Sequence, residues 1–221
     1  MKNRWKTTAR RVLGTAALCV AAAGTAVGQE AAASPPAKSA AETPWAYNAS
    51  LSAYFLPRQP DYLDPVVMAD HGGLHLEGRY NYEALDTGSF WVGWNLHFGG
   101  DLSLALTPMV GGVVGSLDGF APGYEATLAY GKFSLYSSGE YVIDATGKDG
   151  NFFYTWTQVT YAPWAWLQVG VVVQRTRAYQ SDLDIQRGFL VGLTYRDLNL
   201  TVNVFNPDEH PTVVLALGIS F

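Results

Sequence analysis

The last ten residues, 212–221, read TVVLALGISF. Val213, Leu215, Leu217, Ile219 and Phe221 fall on one side of an extended chain, and Thr212, Val214, Ala216, Gly218 and Ser220 on the other. Successive side chains of a strand point to opposite faces, so this alternation specifies a β-strand with one apolar face. Working backwards, 200–205 (LTVNVF) does the same, with Leu200, Val202 and Val204 opposite Thr201, Asn203 and Phe205. In 89–98 (SFWVGWNLHF), Phe90, Val92, Trp94, Leu96 and Phe98 oppose Ser89, Trp91, Gly93, Asn95 and His97. In 74–83 (LHLEGRYNYE), Leu74, Leu76, Tyr80 and Tyr82 oppose His75, Glu77, Arg79, Asn81 and Glu83.

The pattern recurs at 48–56, 102–114, 123–130, 133–144, 151–162, 166–177 and 186–196, and a twelfth strand is placed at 62–69 although Pro65 lies inside it. Turn signals separate the segments (FGGD, YGK, ATGKDG, YRDLN, NPDEHP), and no room is left for helices. The fold class is all-β: an antiparallel barrel of twelve strands, with ten the alternative.

The polar face decides what kind of barrel. The chain has 221 residues and is 48% hydrophobic but only 15% charged, against roughly 25% in a soluble domain. Its alternate face carries Asn, Ser, Thr, Gly and Gln rather than Lys and Glu, which suits a barrel lumen better than a soluble surface.

Residues 1–28 have the layout of a secretory signal peptide: five basic residues, an apolar run from Val12 to about Ala23, then Ala26 and Gly28 before a cut at Gln29. The run is shorter than the roughly 20 residues a spanning helix needs. The one cysteine, Cys19, belongs to this segment, so no disulfide framework is expected. Residues 29–46 read as a flexible periplasmic linker and 47–221 as the barrel. Removing the leader leaves nine basic and nineteen acidic side chains, a balance that excludes nucleic acid as a partner.

Aromatics gather at strand ends, among them Tyr47, Phe55, Tyr82, Phe90, Phe98, Tyr130, Phe133, Tyr161, Trp164, Trp166, Tyr195 and Phe221, as two interfacial girdles would require. The same argument sets the phase. Slipping the third strand by one residue would carry Glu77 and Arg79 into lipid, at about 2–4 kcal/mol for an Arg at mid-depth. The expected lumen set is therefore Glu77, Arg79, Asn81, Asn95, His97, Glu125, Glu140, Gln158, Thr160, Gln168, Arg196, Asn199 and Asn203. Twelve strands also put both chain ends in the periplasm, with tight turns on that side and longer loops outside.

With its signal peptide, its alternating strands and its terminal VLALGISF, the chain resembles Gram-negative outer-membrane β-barrel proteins. The resemblance implies an outer-membrane location and contact with membrane lipid and lipopolysaccharide. It also implies that Leu215, Leu217, Ile219 and Phe221 form the signal read by the barrel assembly machinery. The size is similar to that of small twelve-stranded porins such as the acidic-oligosaccharide family, whose lumens are basic. This lumen holds more carboxylates than Arg, which points away from sugar acids. The segments EGRYNYEALDTGSFWVGWN (77–95) and QRTRAYQSDLDIQRG (174–188) also look like those of uncharacterised outer-membrane proteins.

Two functions stay open. One is a passive channel for small polar or cationic solutes, with Glu77, Arg79, Glu125 and Glu140 as selectivity element. The other is a closed structural or interaction barrel whose interior is filled. A lipid-modifying enzyme is disfavoured: Ser137 faces lipid without an evident His partner, and no catalytic set is visible. No cofactor is expected. His71 and His75, four apart beside Asp70, read as polar barrel residues rather than metal ligands. Arg175, Arg177 and Arg187, near the loop at 178–185, are candidates for lipopolysaccharide phosphates, with pairing to Asp182 and Asp184 the alternative. The oligomeric state is not readable from the sequence.

Overall fold

The computed structural model describes residues 44–57, 59–147, 150–178 and 184–221; the expected signal peptide and nearly all of the expected linker lie outside them. The first half of the sheet consists of β1 (Ala46–Phe55), β2 (Tyr62–His71), β3 (Leu74–Tyr80), β4 (Thr87–Trp94), β5 (Leu96–Gly99), β6 (Leu102–Gly115) and β7 (Gly119–Tyr130). The second half consists of β8 (Phe133–Asp144), β9 (Phe152–Trp164), β10 (Leu167–Ala178), β11 (Asp184–Tyr195), β12 (Leu198–Phe205) and β13 (Thr212–Ser220). Sequence neighbours pair antiparallel except β4 and β5, which both pair with β6; β1 pairs with β13, so the sheet closes.

β4 and β5 are two pieces of one stave, since both pair with β6 in a single register, Gly93↔Met109 and Leu96↔Leu106. That register sets Pro108 opposite Trp94. A proline has no N–H for the ladder, and the stave is interrupted beside it, at Asn95. The result is a twelve-stave barrel, and the ten-strand alternative falls away. Pro65 is accommodated in β2 because pairing with β3 stops at Val66↔Arg79, next to it.

The alternation predicts the two faces well. On the last strand Leu215, Leu217, Ile219 and Phe221 are exposed while Thr212 and Val214 are buried. Exposed Val67, Val92, Val110, Val114, Leu135, Val171 and Phe189 continue an apolar belt around the outside. Near the turn end the belt is bordered by Tyr47, Phe98, Tyr130, Phe133, Trp164, Trp166, Tyr195 and Phe221, all exposed. Near the loop end it is bordered by Phe55, Tyr80, Phe90, Phe120, Tyr141 and Phe153. An apolar band between two aromatic girdles is what a bilayer requires of a closed barrel. The tight turns and both described chain ends share one end, which this architecture assigns to the periplasm.

The third strand departs from expectation. It ends at Tyr80, and Asn81 takes a positive φ of 61°. The chain folds back at that point, so parity no longer counts faces. Asn81 does not line the interior as expected. Its Nδ2 donates to the Leu63 carbonyl at 2.9 Å and its Oδ1 accepts the Asp86 N–H at 2.8 Å, fastening the loop. Tyr82, expected in a girdle, is instead buried together with Glu83. β7 starts at Gly119 rather than at 123, leaving only 116–118 as the loop before it.

Candidate functional site: the barrel interior

The interior has two unlike halves. Toward the turn end lies a vestibule of about 420 Å³, with Asn48, Thr107, Glu125, Thr127, Asn199 and Thr201 among its walls and exposed Arg196 and Asp197 at its rim. Small inward residues leave this room: Ser50 on β1, Ala105 on β6, and Ala216 and Gly218 on β13 all line it. Toward the loop end the interior is filled by large side chains, including Tyr54, Trp91, Tyr154, Trp156 and Phe205, each at most 1% exposed.

At the junction sits Arg79, the one buried Lys or Arg among the described residues. β3 presents His75, Glu77 and Arg79 on its inner face, so neighbouring groups of opposite charge come from one strand. Arg79 Nε donates to Glu77 Oε1 at 2.8 Å and Nη2 to Glu77 Oε2 at 2.9 Å, a bidentate pair. Nη1 donates to Glu140 Oε2 on β8 at 2.9 Å, and Glu83 Oε1 lies 3.6 Å away. The guanidinium carbon lies over two rings, 4.1 Å from the centroid of Tyr82 and 4.4 Å from that of Trp91. Such faces attract a planar cation.

Trp91 reaches that position because its neighbours have no side chains. Gly111 is its partner across the β4–β6 pair, and a Cβ there would collide with the indole. A Cβ on Gly123 of β7 would come within 2.9 Å of the same ring. The indole N–H donates to Ser89 Oγ at 3.0 Å and to Glu83 Oε1 at 3.2 Å, and Ser89 Oγ donates to Glu83 Oε1 at 2.6 Å.

The network runs on toward the turn end. His75 lies 3.5 Å from Glu77 and 2.8 Å from Asp70. Asp70 accepts Asn95 Nδ2 at 2.6 Å, and Asn95 Oδ1 accepts the Thr107 hydroxyl at 2.6 Å. The break in the fourth stave thus places an amide that ties β2 to β6. Glu125, half-buried in the vestibule wall, accepts the Tyr136 hydroxyl at 2.9 Å and feels the charges of Glu77, Arg79 and His75. Charged and polar groups therefore follow one another from the vestibule to the filled half.

Of the expected lumen set, Glu77, Arg79, Glu140, Gln158, Thr160, Asn199 and Asn203 are buried in the interior. Asn95, Glu125 and Gln168 are half-buried on the inner face. His97 is exposed near the turn end, and Arg196 lies in a turn with φ 54°. The reading set Tyr82 in a girdle and left Glu83 out of the lumen set, although the alternation had put Glu83 on the face of Arg79; both are buried inside. It also missed the role of Trp91, although the alternation had put that residue on the inner face. Asp64, buried on β2, was overlooked too. His71 stacks on Trp45 at 4.8 Å, away from His75. Among the described residues no group of three His, Cys, Asp or Glu is placed to hold a metal ion.

Ser137 faces outward in a hydroxyl chain with Tyr124 at 3.1 Å and Thr157 at 3.2 Å. Arg175 and Arg187 are exposed on adjacent strands; the Arg177 side chain, Asp182 and most of the loop at 178–185 lie outside the described residues.

No protein-family model matches the chain, and no curated protein matches it significantly. Solved structures do. A KdgM porin superposes with a TM-score of 0.57 at 10% identity, over 79% of this chain and 99% of the porin. The same figures hold for a KdgM porin in complex with disordered oligogalacturonate. A NanC porin gives a TM-score of 0.52 at 10% identity, over 79% of this chain and 98% of the other. The fold is that of a small porin. With its apolar belt and aromatic girdles, it makes this chain a porin-like barrel of the bacterial outer membrane.

Proposed function

We propose that the chain is an outer-membrane channel for small polar or cationic solutes, with the Arg79 constriction as its selectivity element. The observation that carries this reading is the chain of polar contacts that leads from Thr107 on the vestibule wall through Asn95, Asp70, His75 and Glu77 to Arg79. The carboxylates Asp64, Glu77, Glu83 and Glu140 outnumber the single buried Arg, and Glu125 adds another on the vestibule wall. A narrow passage with that balance favours cations. The test is conductance of the refolded protein in a planar bilayer, with the reversal potential in a salt gradient. Steady cation-selective steps are expected; a correctly folded but silent barrel overturns the reading.

A second reading has its own support. Trp91, Trp156, Tyr154 and Phe205, each at most 1% exposed, fill the loop-end half, as in a closed structural barrel. In that case the function lies on the outer surface. Arg175 and Arg187, set toward the loop end of neighbouring strands, suit the phosphates of lipopolysaccharide.

A further inference from the structure

The cage around Arg79 is built from two carboxylates and two aromatic faces, and the group it holds is a guanidinium on a tether. The cage also carries more acceptor capacity than Arg79 uses. Glu140 Oε1 is buried and accepts no hydrogen bond. Asp64 is 0% exposed, and neither of its carboxylate oxygens has a hydrogen-bond partner. Beside it, Ser52 is its register partner on β1, and the hydroxyls of Ser52 and Tyr54 are likewise buried and unpartnered. Asp64 is buried in the same interior as Arg79, Glu77, Glu83 and Glu140. It lies diagonal to Arg79 across the β2–β3 pair, because Val66, two residues on, is the direct partner of Arg79. Diagonal neighbours are roughly 7–8 Å apart, within reach of a long side chain.

A buried carboxylate with no donor is costly unless something supplies one. The Ser52 and Tyr54 hydroxyls can donate, but Asp64, Glu77, Glu83 and Glu140 are four buried acids around one buried Arg, so the component the cluster lacks is a second donor-bearing cation. We propose that the constriction is a recognition site for a guanidinium-bearing solute, which takes the Glu77–Glu140 cage beside Tyr82 and Trp91 while Arg79 swings to Asp64. The solute arrives from the vestibule past Glu125. The passage to the loop end rests on the channel reading above, but the binding does not. Flat guanidinium is favoured over a compact ammonium because Glu77 presents both oxygens to a forked donor and two aromatic faces lie within 4.4 Å of its carbon.

The test uses the refolded mature protein and methylguanidinium as probe, with sodium as reference. Arg79→Ala empties the cage. Its current in a planar bilayer should be blocked by methylguanidinium at a concentration at least tenfold lower than wild type requires, with no comparable effect of sodium. Adding Glu77→Gln should abolish the difference. Binding is followed independently by tryptophan fluorescence, with Trp91→Phe as control. If Arg79→Ala does not fold, Arg79→Lys keeps a charge in the barrel without the forked guanidinium and carries the same measurements. A folded but silent variant that still shows saturable, Glu77-dependent binding would sustain the site and end the channel reading. Equal responses to methylguanidinium and sodium in both current and fluorescence would overturn the site. So would block that persists after Glu77→Gln.

Discussion

Arg79 and Glu77 stand two residues apart on the inner face of one strand and meet through two parallel hydrogen bonds of 2.8 and 2.9 Å. Their backbones are already fixed by the sheet, so only side-chain rotamers must be ordered to form the pair. Removing the cation and removing the anion should nevertheless differ. Arg79→Met leaves Glu77, Glu83 and Glu140 without their buried counter-charge and should cost about 3–5 kcal/mol. Glu77→Gln should cost less, because Arg79 keeps Glu140 at 2.9 Å. Urea unfolding of the detergent-refolded variants measures both; equal losses would contradict the assignment of Arg79 as the hub.

The seat of Trp91 is set by what Gly111 lacks. Gly111→Ala introduces a Cβ into the indole, and overpacking of this kind costs about 1–3 kcal/mol. Trp91→Ala should relieve the clash and rescue stability in the double variant, and should also widen the constriction. A thermal-melt cycle on the two single variants and the double variant reads the coupling. Additive losses would show that the two sites do not touch.

The vestibule and the filled half should differ in chemical access. The barrel has no native cysteine, since Cys19 lies in the expected leader. Ala216→Cys, on the vestibule wall, should react with a membrane-impermeant maleimide added from the periplasmic side. Val142→Cys, at 0% exposure in the filled half, should stay unlabelled in the folded protein. Equal labelling of both would mean that the interior is open throughout.

The phase of the sheet can be checked on one strand. Val171 is 48% exposed on the outer face of β10, whereas its neighbour Val172 is fully buried. Val171→Arg should cost about 2–4 kcal/mol in a bilayer. Ser50→Arg, which points into the vestibule, should be tolerated and should lower the cation preference. Folding yields into vesicles measure the first effect, and the reversal potential measures the second.

Strands, turns and the inward placement of Glu77, Arg79 and Glu140 were legible because a period of two is a local property, visible in any ten residues. The constriction was not. Tyr82 enters the interior where Asn81 adopts a positive φ, and alternation cannot be counted through such a residue. The fit of Trp91 over Gly111 depends on the register between β4 and β6, a relation between segments twenty residues apart. Asp64 was passed over since it lies beside Pro65, in the strand whose pattern is poorest. Size and shape of an interior are sums over all staves, and a reading that proceeds strand by strand does not form them.

The seam between β1 and β13 has a consequence for the order of events. Tyr47 and Phe221 exchange both backbone hydrogen bonds, each 2.9 Å, and the Ser220 hydroxyl donates to Asn48 across 172 residues of sequence. Until β13 is in place, the first strand has no mate on that side. An intermediate carrying every other hairpin would still offer two long raw edges, each a template for pairing with a neighbouring chain. Closure thus depends on β13. Loss of that strand should leave a sticky, open ribbon rather than a slightly weaker barrel.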